Sequence, residues 1–177
     1  MDIVKLCLKM GASAAESIAV KDIVFSPELR GLCEQNACGQ FGSNYTCPPN
    51  VGEVNGLVAK LKVFEHSVIW QNIYSIEDSF DFEGMMDAQR RHNEMTRKIA
   101  GKVYEGMGRE NVIILAAGGC SLCEPCAMKT DEPCPYPDEA LPSLEAHGIN
   151  VSVIGEISGM KYINGKDTVT YFSGVFF

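Results

Sequence analysis

Between Gly118 and Pro137 the chain reads GGCSLCEPCAMKTDEPCPYP, which places four of its eight cysteines on one short stretch. The rest of the chain reads as a scaffold for it. Cys120, Cys123 and Cys126 are spaced C-x2-C-x2-C, and Cys134 follows after seven more residues with Pro135 behind it. Three thiolates at that spacing can wrap an iron-sulfur cubane, whose iron corners point in different directions. A single zinc ion is a poorer fit. Structural zinc sites usually take C-x2-4-C pairs from two separate places, and a third cysteine so close would have to fold back onto the same small tetrahedron. The spacing ranks a cluster above zinc.

A chain of 177 residues with 46% hydrophobic content can bury a core as one domain and needs no disulfide framework to do so. The N-terminal MDIVKLCLKMGASAAE has an acid at Asp2 and lysines inside its apolar run, unlike the basic-then-apolar order of a secretory signal. No uncharged apolar run approaches the roughly 18 residues of a membrane span. A cytoplasmic location follows as the expectation, and thiols stay reduced there. Eight cysteines then read as metal or redox chemistry rather than as four bridges. The net charge of −8 speaks against nucleic acid and anionic membrane as partners, since both reward a basic face. An acidic shell suits a redox protein that docks on basic partners, and it suits many other proteins equally well.

A second cysteine group lies in RGLCEQNACGQFGSNYTCPPN, where Cys33, Cys38 and Cys47 are spaced C-x4-C and C-x8-C. Gly31, Gly39 and Gly42 lie among them and Pro48-Pro49 closes the loop. Glycine lets backbone come close to a bulky group and proline makes an abrupt exit, so the loop can wrap an inorganic cluster. Three thiolates match three corners of a cubane and leave one iron needing another ligand. The eighth cysteine, Cys7, lies on the apolar stripe Ile3, Leu6, Met10 of a short helix ended by Gly11, and reads as a buried structural thiol.

The later loop resembles the bacterial ferredoxin run C-x2-C-x2-C-x3-C-P in its first three positions and its terminal Cys134-Pro135, with a longer last gap. Taken together, C-x4-C, Phe41-Gly42, Cys47-Pro48-Pro49, Gly-Gly-Cys-x2-Cys-x2-Cys and Pro-Ser-x-Glu-Ala-x-Gly over 142–148 resemble a family of small prokaryotic proteins, the predicted metal-binding domain of unknown function 2284. The resemblance implies metal binding through Cys33, Cys38, Cys47, Cys120, Cys123, Cys126 and Cys134, and implies no reaction. Two positions depart from the pattern: Pro135 and Leu141 stand where arginines are expected, so no role for those arginines transfers.

The other elements read as follows. Ser17–Phe25 is a first strand, and 51–64 a helix with Val54, Leu57, Val58 and Leu61 on one face. Ser67–Tyr74 is a strand and Phe80–Met107 a long helix. Its segment QRRHNEMTRK reads as a solvated face, although Arg90, Arg91, Arg97 and Lys98 could dock an acidic partner. His66 and His92 lack partners at ligand spacing and read as exposed. The apolar run 111–117 reads as a central strand buried on both faces, delivering the four-cysteine loop at its carboxyl end. Asp138–Ala146 reads as a helix ended by His147-Gly148. Residues 150–158 fit strand or helix, and the family resemblance favours helix. Met160–Ile163 and Asp167–Phe177 flank Asn164-Gly165 and read as a terminal antiparallel hairpin. The sum is a single α/β domain, a mixed sheet flanked by helices with two cysteine-rich loops.

No nucleotide-binding or common hydrolase motif is present, and seven clustered cysteines argue against a Cys-His nucleophile built from Cys38 or Cys47 with His92. Three classes of function fit. The first is an electron-transfer module with one or two [4Fe-4S] clusters and a protein redox partner. The second is an enzyme or sulfur-handling protein that binds a small ligand at an open iron. The third is a zinc-stabilised interaction domain. Cys134 admits two wirings, closing a site with Cys120, Cys123 and Cys126 or crossing to the Cys33 group. The gap stiffened by Pro133 and Pro135 favours the closed one.

Overall fold

A computed structural model describes residues 1–177 of the chain. Asp2 opens α1 (Ile3–Lys9) by accepting a hydrogen bond from the Lys5 backbone N–H at 3.0 Å, which satisfies one of the free donors of a helix start. The chain then runs through β1 (Ala14–Ala19), α2 (Arg30–Glu34), α3 (Val54–Leu61), β2 (His66–Ser75), α4 (Phe82–Met107), β3 (Ile113–Leu115), α5 (Val151–Ser158) and β4 (Thr168–Phe176). The strands form one sheet in the order β1-β2-β4-β3, and every neighbouring pair is antiparallel.

Successive strand residues point to opposite faces, so each apolar strand feeds two cores. Val68 and Trp70 of β2, Ile114 of β3 and Val175 of β4 pack with Ile3 and Cys7 of α1 and with Ile99, Ala100 and Val103 of α4. Ile69, Leu115, Phe172 and Phe176 pack on the other face with Leu61 of α3 and Ile154 of α5. The result is helices on both faces of one sheet, the α/β class that the sequence indicates. Cys7 is fully enclosed in the first core, as its stripe implies. No helix is long and apolar enough to cross a membrane.

Several local readings change. The first strand ends at Ala19 instead of Phe25, because Val20–Asp22 turns as a 3-10 helix. That turn aims Val20 and Ile23, three residues apart, into the same core. β3 lies at the sheet edge and is not central. Its run is apolar because Ile114 and Leu115 enter opposite cores, and its exposed side is covered beyond Leu115 by 142–144. No helix spans Asp138–Ala146, where only a 3-10 turn forms over Glu145–His147. Pro142 disfavours helical backbone before it, and the extended residues after it pair with Ala116. The terminal hairpin does not form either. β4 already has β2 on one side and β3 on the other, so Met160–Ile163 finds no free edge and Asn164 instead donates to Lys161 O at 2.7 Å. The only parallel contact is the Ala116–Ser143 bridge, so the sheet is mixed only there.

The polar face of α4 is also half wrong as read. Arg90 pairs with Asp87, Arg91 Nε lies 2.8 Å from Asp87, and both arginines are solvated. His92, Asn93 and Thr96 are instead buried, while His66 is exposed as expected. His92 Nε2 sits 2.8 Å from Ser173 Oγ, which also accepts from Thr96 Oγ1 at 3.0 Å. Burial without a counter-charge lowers the His92 pKa to about 3. A long helix over a sheet can sink a short polar network where a strand offers a hydroxyl, and Ser173 does so here. Residues 150–158 are helical, capped by Asn150, whose side chain accepts from the Ser152 N–H.

Candidate metal centre

The four-cysteine loop leaves β3 at Ala116 and returns at Pro142, and its two ends are fastened side by side. The Ala116 N–H donates to Pro142 O at 2.8 Å, and the Leu144 N–H donates to Ala116 O at 3.2 Å. Next along, Asn93 of α4 clamps Ala117 from both sides, donating to its carbonyl at 2.8 Å and accepting from its N–H at 3.1 Å. Gln89, one turn earlier on the same face, donates to the same carbonyl at 3.1 Å. Gly118 then turns with φ +61, and a side chain there would collide with Gln89. A Cβ on Gly119 would come within 2.8 Å of Gln40 Oε1, so the other cysteine loop closes in at this point. A rigid base thus carries an irregular loop.

Within that loop, Cys120, Cys123, Cys126 and Cys134 line one small, largely enclosed cavity, together with Tyr45, Thr46, Leu122 and Ala140. The seven-residue gap before Cys134 folds back on its own loop. The 3-10 turn Ala127–Thr130 starts the return, and Asp131 adopts φ 55 to reverse it. Tyr45 holds the far wall, its phenol donating to Glu132 O at 2.8 Å.

The second group is assembled differently. Cys33 rides on α2, Cys38 is exposed and Cys47 is buried. They are close enough for their charges to couple. Burial raises the Cys47 pKa, hydrogen bonding from Asn44 opposes it, and neighbouring Cys38 and Cys33 add to the rise. Burial likewise raises Cys33, against the pull of Arg30 and with Cys38 pushing the same way. Arg30 fixes α2 in place by donating to Gly52 O at 3.1 Å and Ala146 O at 3.0 Å. The Gly42 N–H donates to Pro48 O at 2.8 Å and draws the loop shut over Asn44, whose side chain accepts from both the N–H and the hydroxyl of Thr46.

The two groups adjoin, because the Cys120 N–H donates to Thr46 Oγ1 at 3.1 Å. Arg97 of α4 lies near enough to Cys120 to oppose the effect of burial on its thiol, while Cys123 and Cys134 reinforce it. Desolvation, then Cys126 and Cys134, raise Cys123. Burial thus favours the neutral thiol at Cys33, Cys47, Cys120 and Cys123. A bound cation would reverse that balance and take them as thiolates. No three His, Cys, Asp or Glu side chains are gathered as they would be around one metal ion. Cys7 is enclosed in the core beneath α1 and α4, with Val68, Trp70, Ile99 and Val103, where burial pushes its thiol up to about 12. His147 is held within its own turn, Nδ1 lying 3.1 Å from Ser143 O.

Sequence reasoning does not single out Thr46, Gln89, Asn93 or Arg30, which position the two loops. Gln89 and Asn93 do leave a trace, being one helical turn apart on α4. No curated protein and no solved structure matches the chain. The family model described as predicted metal-binding protein, domain of unknown function 2284, matches residues 16–177, and the chain belongs to that family.

Proposed function

We propose that the protein carries a [4Fe-4S] cluster on Cys120, Cys123, Cys126 and Cys134 and a second on Cys33, Cys38 and Cys47, and that it works as a redox module. The observation that carries this reading is the shared cavity of the first four thiols, at the spacing of a cluster-binding run. A single zinc ion needs four sulfurs about 3.8 Å apart, given Zn–S bonds of about 2.3 Å. A cluster presents corners that point in different directions, which suits the C-x2-C-x2-C run better than one small tetrahedron does. Bound clusters would supply one-electron chemistry, at potentials set by charge, hydrogen bonds to sulfur and exposure. The chain's own part is to hold the ligands still. Asn93 and Gln89 fix the loop base, Thr46 fixes the Cys120 backbone, and Arg97 places a positive charge beside Cys120.

The surface carries a net charge of −8, which suits docking on a basic redox partner in the cytoplasm. A second reading is favoured by the Cys33 group, which offers three thiols where a cubane has four irons. An open iron there would bind a small thiol, cyanide or sulfide, and would make the protein an enzyme or sulfur handler. The deciding experiment is anaerobic purification followed by iron, acid-labile sulfide and zinc analysis. Brown protein with iron and sulfide in equal amounts is expected. Colourless, folded protein with stoichiometric zinc would sink the proposal and leave a zinc-stabilised interaction domain.

A further inference from the structure

At the end of the sheet where β1 stops and β2 starts there is an open recess of about 660 Å³, lined by no residue of either cysteine loop. Its floor belongs to the second core: Val20 and Ile23 are buried there, and the half-buried rings of Phe25 and Phe64 pack against the same cluster. Backbone hydrogen bonds hold the walls. The Val20 N–H donates to Glu65 O at 3.0 Å, the Phe64 N–H donates to Leu61 O at 3.1 Å, and Phe25 is bridged to Ile149. The recess is therefore formed by the fold itself, and its volume falls in the roughly 300–1,000 Å³ range of small-molecule sites, which are mostly pre-formed.

The rim reverses the charge of the chain around it. Lys21 and Lys62 stand there against one acid, Glu65, on a protein whose net charge is −8. Lys5, Lys102 and Lys166 each pair with a neighbouring carboxylate, whereas Lys21 and Lys62 pair with none. Lys62 Nζ lies 5.4 Å from the centre of the Phe25 ring, so one ammonium is drawn over an aromatic face inside the recess. We propose that this recess binds a small planar aromatic anion, with its ring on Phe25 and Phe64 and its carboxylate or phosphate on Lys21 and Lys62. An inorganic anion would leave the apolar floor in water, and a neutral hydrocarbon would leave both ammonium groups without a partner. A molecule with both parts satisfies both halves of the site, in the usual division between apolar lining and a few orienting charges. Glu65 opposes the bound charge and limits the affinity.

Equilibrium dialysis of the anaerobically isolated protein tests this with two probe pairs, 2-naphthoate against neutral 2-naphthamide and AMP against adenosine. At least one anion is expected to bind about tenfold or more tightly than its neutral partner. Binding of 2-naphthoate alone would identify an aromatic carboxylate as the ligand, and binding of AMP alone a nucleotide. Lys21, Lys62 and Glu65 are exposed, so their substitution leaves the core intact, and urea midpoints equal to the wild type's check that. Replacing both lysines, Lys21→Ala with Lys62→Ala, should weaken the anion at least about fivefold, as the loss of two solvated ion pairs does. Glu65→Gln should tighten it, an effect of opposite sign that a loss of packing does not produce. Three results would overturn the proposal: dissociation constants above about 1 mM for both anions, equal affinity for each anion and its neutral partner, or anion binding that the lysine substitutions leave unchanged. The last would place the anion elsewhere on the surface.

Discussion

The backbone N–H of Cys120 donates to the hydroxyl of Thr46 at 3.1 Å, so the first thiol of one loop hangs from the residue that precedes the last thiol of the other. Thr46 is buried, and its hydroxyl in turn donates to Asn44 Oδ1 at 2.9 Å. The two cysteine groups therefore share one hydrogen-bonded strut.

Thr46→Val keeps the shape and removes the strut. It leaves the Cys120 N–H without its acceptor, and buried unpaired groups cost about 1–3 kcal/mol. The variant is expected to unfold at lower denaturant concentration and to lose metal from both groups on dilution. Metal content after gel filtration, compared with Cys33→Ser, reads the coupling. Loss from the Cys120 group alone would show that the strut does not couple the two.

Cys134 lines the same cavity as Cys120, Cys123 and Cys126. Cys134→Ser should change the spectrum of the site that Cys120→Ser changes and leave the Cys33-dependent signal alone. Electron paramagnetic resonance of the reduced variants separates the two. A Cys134→Ser spectrum altered only where Cys33→Ser alters it would mean that Cys134 crosses between sites.

Cys7 is fully enclosed, with its pKa pushed up to about 12 by burial. Cys7→Ser places a hydroxyl in an apolar core, and a stability loss of about 1–2 kcal/mol is expected with unchanged metal content. Urea unfolding and metal analysis on the same sample check both halves. In the wild type this thiol should also resist alkylation until the protein unfolds.

His92 gives a pH signature. Its pKa falls from 6.5 to about 3 because burial disfavours the charged ring. The unfolded chain takes up the proton first, so the stability from keeping His92 neutral is complete above about pH 6.5 and is lost as pH falls toward about 3. His147, lowered to about 4 by burial, acts in the same direction. Between about pH 7.5 and about pH 5 the His92 share of the loss is about 2 kcal/mol. His92→Gln should be the less stable protein at the higher pH, and the difference should shrink by about that amount at the lower one. Denaturant midpoints at the two values measure it, and a constant difference would mean that His92 is not held neutral.

The sequence by itself determined the features that depend on local order. The spacing of Cys120, Cys123 and Cys126 marks one loop and that of Cys33, Cys38 and Cys47 marks the other, because short spacings confine ligands to a small volume whatever the fold. The periodicity of α1, α3 and α4 and the apolar run of β2 were legible for the same reason, since each reflects one face turned to a core. Only the tertiary structure decided which edges were free and which polar groups went inside. β4 lies between β2 and β3, so Asn164-Gly165 makes no hairpin in spite of its strong local preference. Pro142–Leu144 pairs with Ala116, so the residues around it stay out of a helix. His92 and Asn93 look like solvated helix residues until Ser173 and Ala117 are placed beneath them. Thr46 gained its place at Cys120 in the same way, through a contact with a residue far along the chain, which local pattern cannot encode.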